Sequence, residues 1–68
     1  MEYSIEFLQE EDGRWLAVVP ELPGVMTYGR TPAEARASVQ ALALHVIADR
    51  IEHGESPVEL VSLSFKAA

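Results

Sequence analysis

The stretch Val18–Ala35, VVPELPGVMTYGRTPAEA, determines the fold that this sequence predicts. Its Pro23-Gly24 pair suits a type II turn, in which glycine takes the position that requires a positive φ. The stretch ends in a helix start, because Thr31 can cap the helix, Pro32 fits the first helical position and Glu34 completes a capping box. We therefore predict a strand, a turn and a second strand that lead directly into a helix.

Alternating apolar and polar residues predict further strands on both sides of this stretch, since successive side chains of a strand point to opposite faces. Gly54 marks the expected end of the helix. The expected elements are strands over Glu2–Glu10, Arg14–Val19 and Val25–Tyr28, a helix from Pro32 to Glu52 or His53, a strand over Val58–Phe65 and a tail over Lys66–Ala68. With a right-handed crossover, the last strand lies beside the first. The predicted fold is α+β, of order β-β-β-α-β: a three-stranded antiparallel meander, a fourth strand parallel to the first, and one helix on one face.

The composition limits what kind of protein this is. The 68 residues allow a single domain, 1–68, and the formal net charge is -6. An acidic surface repels phosphate groups, so we expect no direct contact with nucleic acid. The charge can attract a basic protein partner, or it can serve solubility alone. No apolar run reaches membrane-spanning length and no secretory signal is evident, so we expect a cytoplasmic protein without a membrane contact.

The small size also predicts self-association. A chain of this length buries only about 60% of its unfolded surface, so its core needs support. The sequence contains no cysteine for a disulfide. His45 and His53 lie eight positions apart on the helix and do not share a face, so we expect no zinc and no other cofactor. A homo-oligomer, a dimer or a tetramer, is the remaining common solution.

Two features suggest where such an interface lies. The second strand is apolar on both faces around Trp15, whereas one helix can cover only one face of the sheet. The helix also carries two apolar stripes. The first is expected to face the sheet and comprises Ala35, Val39, Leu42, Ala43 and Val46, with Ile47 at its margin. The second lies nearly opposite and includes Leu44, Ala48 and Ile51, although alanine is also simply a good helix former on an exposed face. The predicted oligomer interface comprises Trp15, Leu44, Ala48 and Ile51.

Catalytic residues are poorly represented. Hydrolysis by two metal ions needs clustered carboxylates that hold the ions about 4 Å apart. The available acids are Glu6 on the first strand, Glu34 or Asp49 on the helix, and Glu59 at the margin of the last strand. Glu6 alternates with apolar residues, so its side chain is expected to point to water or to a partner. We therefore predict neither catalytic residues nor metal ligands, and no enzymatic activity.

Acidic loops are the candidate partner-binding residues. Glu10, Glu11 and Asp12 lie together at a hairpin tip, and Glu21 lies in the turn between two prolines. If the two loops are close in space, they form an acidic patch that suits a basic protein. The alternative is that both are ordinary polar loops.

In their order and spacing, the turn and cap residues resemble the HicB-like antitoxin family. The matching segments are Asp12-Gly13, Trp15, Pro20-Glu21-Leu22-Pro23-Gly24, Thr27-Tyr28-Gly29, Thr31-Pro32-Ala33-Glu34-Ala35, Gly54 and Pro57. The resemblance implies a partial RNase H-like fold without nuclease activity, and a partner of the HicA type, a small basic mRNA-cleaving toxin.

Many members of that family add a C-terminal DNA-binding domain. The sequence here stops at Ala68, so we expect a single HicB-like domain without that addition. The resemblance therefore implies an antitoxin-like protein-binding module. The alternative is a stand-alone oligomeric structural module without a toxin partner.

Overall fold

The predicted α+β fold is confirmed by a computed structural model, which describes residues 2–54 and 63–67. Its elements are β1 (Glu2–Gln9), β2 (Trp15–Val18), β3 (Met26–Gly29), α1 (Pro32–Glu52) and β4 (Ser64–Ala67). The strands form one sheet in the order β3-β2-β1-β4. Antiparallel pairing joins β1 to β2 and β2 to β3, and β4 runs parallel to β1.

The last strand differs from the prediction at its end. Lys66 and Ala67 were expected in a tail, but they pair with Ser4 and Ile5 as part of β4. The alternation of apolar and polar residues could not show this, because the end of β4 is set by its backbone pairing with β1. The predicted part over residues 58–62 lies outside the described residues.

The turns form as their residues predict. In the β1–β2 hairpin, the backbone N–H of Gly13 donates to the carbonyl of Glu10 at 2.9 Å. Between β2 and β3, the N–H of Val25 donates to the carbonyl of Leu22 at 3.0 Å, and Gly24 has a φ of 86°. This is the geometry expected for a type II turn with proline and glycine at its centre. The prediction at Pro23-Gly24 is confirmed.

The helix begins and ends where its caps predict. The Thr31 hydroxyl accepts a hydrogen bond from the N–H of Glu34 at 3.1 Å, and the helix ends at Glu52, two residues before Gly54. Its buried stripe follows a spacing of four and comprises Ala35, Val39, Ala43 and Ile47. Ile47, which was expected at the margin, is therefore central and only 5% exposed. Leu42 and Val46 lie at the margins, half-buried against the core.

The core lies between α1 and one face of the sheet. It is composed of Tyr3, Ile5, Ala17, Val19, Leu22, Val25 and the buried helix stripe. The helix packs mainly across β3 and β2. Among residues 2–54 and 63–67, no helix is long and apolar enough to cross a membrane. The opposite face of the sheet is left without a covering element in this part of the chain, and that face carries the candidate site.

Candidate protein-binding surface

The uncovered face of the sheet carries an apolar surface that spans three strands. We call it the open face, and its members are Leu8, Leu16, Val18, Met26 and Tyr28. The sheet register places Leu8, Leu16 and Tyr28 side by side in one row across β1, β2 and β3. A second row consists of Glu6, Val18 and Met26. The open face is therefore a continuous strip of side chains with one acid at its margin.

The members of the open face differ in exposure. Leu8 is 60% exposed, Met26 49% and Tyr28 47%, whereas Leu16 is only 9% exposed. Leu16 lies on the inner strand between Leu8 and Tyr28, so its neighbours cover it. This explains how β2 can be apolar on both faces. Contiguous exposed apolar side chains of this kind are typical of interaction sites.

Arg14 forms one end of the open face. Its guanidinium carbon lies 4.4 Å from the centre of the Tyr28 ring, a cation–π contact. Its Nε also donates to Asp12 Oδ2 at 2.7 Å. Arg14 is thereby held between the hairpin tip and the apolar rows. The open face therefore has a positive charge at this end. It lies directly beside the acidic tip, by which we mean Glu10, Glu11 and Asp12 of the β1–β2 hairpin.

The three acids of the hairpin tip are not equivalent. Asp12 accepts hydrogen bonds from the backbone N–H of Arg14 at 3.1 Å and from its side chain. The backbone hydrogen bond is the main reason that the pKa of the Asp12 carboxyl lies below its ordinary value, and the Arg14 side chain lowers it further. Glu10 and Glu11 are not among the described hydrogen-bonded or ion-paired carboxylates. These two acids are thus the tip residues best placed to meet a partner.

Glu21, the acid in the turn between Pro20 and Pro23, is far from the hairpin tip. Both carboxylate oxygens of Glu21 accept from the backbone N–H of Ser4, at 3.1 and 3.0 Å, near the start of β1. The hairpin tip follows the other end of β1, about 20 Å away at the usual rise per residue of a strand. The structure therefore does not bring the two acidic loops together into one patch. Glu21 instead has a local role, and its own backbone N–H and Ser4 lower the pKa of its carboxyl.

The four residues predicted at an oligomer interface fall into two pairs. Trp15 and Ile51 are half-buried and pack against the core on the helix side of the sheet. Leu44 and Ala48 are exposed on the outer side of α1, Leu44 to 46%. Leu44 and Ala48 are therefore the more exposed pair and the better placed to contact another molecule. Their role in self-association stays a prediction.

The carboxylates considered for metal binding do not converge. Glu6 belongs to the open face side of the sheet, while Glu34 and Asp49 lie on α1, which packs on the other side. In residues 2–54 and 63–67, no group of three or more His, Cys, Asp or Glu side chains is placed to hold a metal ion. Glu59 lies outside that range. The absence of catalysis stays a prediction.

The open face itself was only partly foreseen. The apolar character of β2 indicated a second covered side, but Leu8, Met26 and Tyr28 were not assigned to it. Leu8 continues the alternation of Ser4 and Glu6, so the sequence alone predicts that these three side chains point to the same face of the sheet. Which strands lie side by side, and hence which side chains form rows, required the register.

Two curated proteins are similar to this chain. A UPF0150 protein of Thermoplasma acidophilum is 33% identical over 55 residues, which cover 81% of this chain and 80% of that protein. A UPF0150 protein of Synechocystis sp. is 43% identical over 42 residues, which cover 62% of this chain and 58% of that protein. The chain thus spans under two thirds of the length of the Synechocystis protein. No family model and no solved structure matches.

Together, the fold and the open face define a small α+β domain with a candidate surface for binding another protein. The extent and identity of the Thermoplasma match make the family clear. The chain belongs to the UPF0150 family.

Proposed function

We propose that this protein is an antitoxin-like binding module that neutralises a small basic mRNA-cleaving toxin of the HicA type. One observation carries the proposal: the open face and the acidic tip are contiguous. Leu8 lies one residue from the end of β1, and Glu10 and Glu11 follow directly at the hairpin tip. Membership of the UPF0150 family, which is related to the HicB-like antitoxins, supports it.

The two parts of the surface would have different tasks. Charges at the rim of an interface mainly steer the encounter and set its salt dependence, whereas buried apolar contacts supply affinity. Glu10 and Glu11 would attract a basic toxin, and Leu8, Met26 and Tyr28 would pack against it. Since the formal net charge is -6, a toxin covered by this chain presents a surface that repels the RNA backbone.

The test is inhibition of a defined toxin. The gene for a short basic protein next to this one would be expressed, and cleavage of an mRNA by the purified toxin would be followed as this protein is added. We expect cleavage to stop at a fixed molar ratio. The ratio should be set by the amount of toxin and not by the amount of RNA, because the protein binds the toxin and not the substrate. Undiminished cleavage at saturating protein would contradict the proposal.

The alternative function is a stand-alone oligomeric module, and one observation favours it. Leu44 is 46% exposed on the outer side of α1, and small alanines around it leave room for close approach of a second helix. Sedimentation of the purified protein separates the two functions. A defined oligomer that leaves toxin activity unchanged would favour the structural module.

A further inference from the structure

The strand β1 is longer than the strand that pairs with its outer edge. β4 pairs with Glu2–Ile5, whereas β1 continues to Gln9. In the described part of the chain, no strand pairs with the outer edge of β1 from Glu6 to Gln9. Such an edge presents N–H and C=O groups to which an extended segment of another molecule can add as a further strand.

The direction of the backbone groups identifies which ones face outward. The N–H of Ser4 donates to Glu21 and the N–H of Glu10 donates to the carbonyl of Arg14, so both point toward β2. Backbone groups alternate in direction along a strand. The N–H and C=O groups of Phe7 and Gln9 therefore point away from β2, toward the outer edge.

The side chains beside this edge alternate between acidic and apolar. Glu6 and Leu8 are exposed on the side of the open face, and Glu10 follows in the same alternation. A groove of about 410 Å³ extends over β1 and β2 beside Leu8, and it is lined by Glu6, Phe7, Leu8 and Val18. A strand added at this edge would place one side chain next to Leu8 and the groove. The side chains two positions away on either side would lie next to Glu6 and Glu10.

The charges disfavour a second copy of the chain as the added strand. Antiparallel pairing of two β1 edges around Leu8 would put Glu6 of each copy opposite Glu10 of the other. Like charges directly opposite each other in a sheet are destabilising, and each copy already has a formal net charge of -6. A basic strand would instead form two cross-strand pairs of opposite charge.

We propose that the outer edge of β1 from Glu6 to Gln9 accepts an extended strand of a basic protein. The strand carries Lys or Arg opposite Glu6 and Glu10 and an apolar residue opposite Leu8. Backbone hydrogen bonds to Phe7 and Gln9 hold it in place, and the groove receives the apolar side chain. The inference rests on the proposed function in taking the basic toxin as the source of the strand. The binding site itself can be tested without a toxin.

The direct test uses the peptide acetyl-Thr-Lys-Thr-Val-Thr-Lys-Thr-amide. It reads the same in both directions, so it fits a parallel or an antiparallel strand. NMR of the 15N-labelled protein should show saturable shifts and slower exchange at the amides of Phe7 and Gln9. Glu6→Gln with Glu10→Gln should weaken binding about fivefold, and a peptide with Glu in place of both lysines should not bind. Equal shifts with both peptides, or no shifts at Phe7 and Gln9 up to about 10 mM peptide, would overturn the proposal.

A second test separates this proposal from the proposed function. Gln9→Pro removes the outward N–H, whereas Gln9→Val keeps it, and proline is tolerated at a strand edge. If the edge binds the toxin, Gln9→Pro should inhibit toxin cleavage about fivefold less well than Gln9→Val. Equal inhibition by both variants would overturn the edge as the toxin site and leave the antitoxin function intact. Peptide binding at the edge without any toxin inhibition would support the edge as a binding site and contradict the antitoxin function. If Gln9→Pro does not fold, the peptide titration of the unaltered protein decides.

Discussion

Gly29 at the end of β3 lies directly against the backbone of Ala35 in the first turns of α1. A Cβ atom added at Gly29 would lie 2.9 Å from the Cα of Ala35, and closer still to its backbone nitrogen. The Thr27 hydroxyl of the same strand donates to the Ala35 carbonyl at 3.2 Å. The absence of a side chain at Gly29 therefore sets how closely the helix approaches the sheet.

Gly29→Ala should destabilise the protein because backbone atoms, unlike a flexible side chain, cannot move aside. We expect a loss of about 2–3 kcal/mol in the free energy of unfolding, within the range for overpacked interiors. Urea unfolding measures it. Gly24→Ala is the matched control, since a methyl there meets nothing within 4 Å and costs about 1 kcal/mol through its positive φ alone. A Gly29→Ala protein as stable as the control would contradict the close contact.

Glu21 should make the stability of the fold depend on pH. Its pKa in the folded chain lies below the ordinary 4.5, mainly through hydrogen bonds from its own N–H and from Ser4. Below pH 4.5 the unfolded chain therefore binds more protons at Glu21 than the folded chain does. The stabilisation by the ionised Glu21 carboxylate is complete above pH 4.5, and it is lost as the pH falls through the lowered pKa of the folded chain. Thermal unfolding between pH 6 and about pH 3 should show a shallower decline for Glu21→Gln than for the unaltered protein. Parallel declines would show that the contact with Ser4 adds nothing.

The sequence was most informative where a single residue type has a special backbone requirement. Gly24 in the turn, Thr31 and Pro32 at the helix start and Gly54 after its end each restrict the local conformation. These positions fixed the order of elements correctly. Ile47 and Lys66 were misplaced for a different reason, since burial and pairing depend on neighbours that are distant in sequence.

The candidate surface was less predictable than the fold. The separation of Glu21 from the hairpin tip follows from the predicted meander, because the turns at the two ends of β2 lie at opposite ends of the sheet. The rows of the open face, in contrast, required the register of β1, β2 and β3. Cross-strand neighbours are set by the ladder and not by the period of two. Surfaces built from several strands therefore remain hard to read from one sequence.

Two exposed leucines can separate the surface that binds a toxin from the surface that forms oligomers. Leu8 lies on the open face and is 60% exposed, and Leu44 lies on the outer side of α1 and is 46% exposed. Each changed to Ser should lower the stability by only about 1 kcal/mol, because roughly half of each side chain is already exposed. Leu8→Ser should weaken toxin binding about tenfold and leave the sedimentation behaviour unchanged.

The expected result for Leu44→Ser is the opposite. If the outer side of α1 forms the oligomer, this variant should dissociate at a higher concentration than the unaltered protein and should still inhibit the toxin. Ala48→Glu, one turn further along the helix, should dissociate it more completely because it introduces a charge. Analytical ultracentrifugation and calorimetric titration with toxin measure the two properties. If Leu44→Ser loses toxin binding and Leu8→Ser keeps it, the toxin binds the outer side of α1 and not the open face.

The acidic tip should control the rate of toxin association more than the final affinity. Changing Glu10 and Glu11 to Lys reverses two charges at the tip, and we expect association to slow by about tenfold at low salt. The salt dependence of the rate should flatten as well. Stopped-flow mixing measures both properties, and Asp49→Lys with Glu52→Lys is the control, since it reverses the same number of charges near the end of α1. Because Asp12 is already paired with Arg14, Asp12→Asn should slow association less than the loss of either glutamate. Unchanged rates in the tip variant would mean that the toxin approaches another surface of the protein.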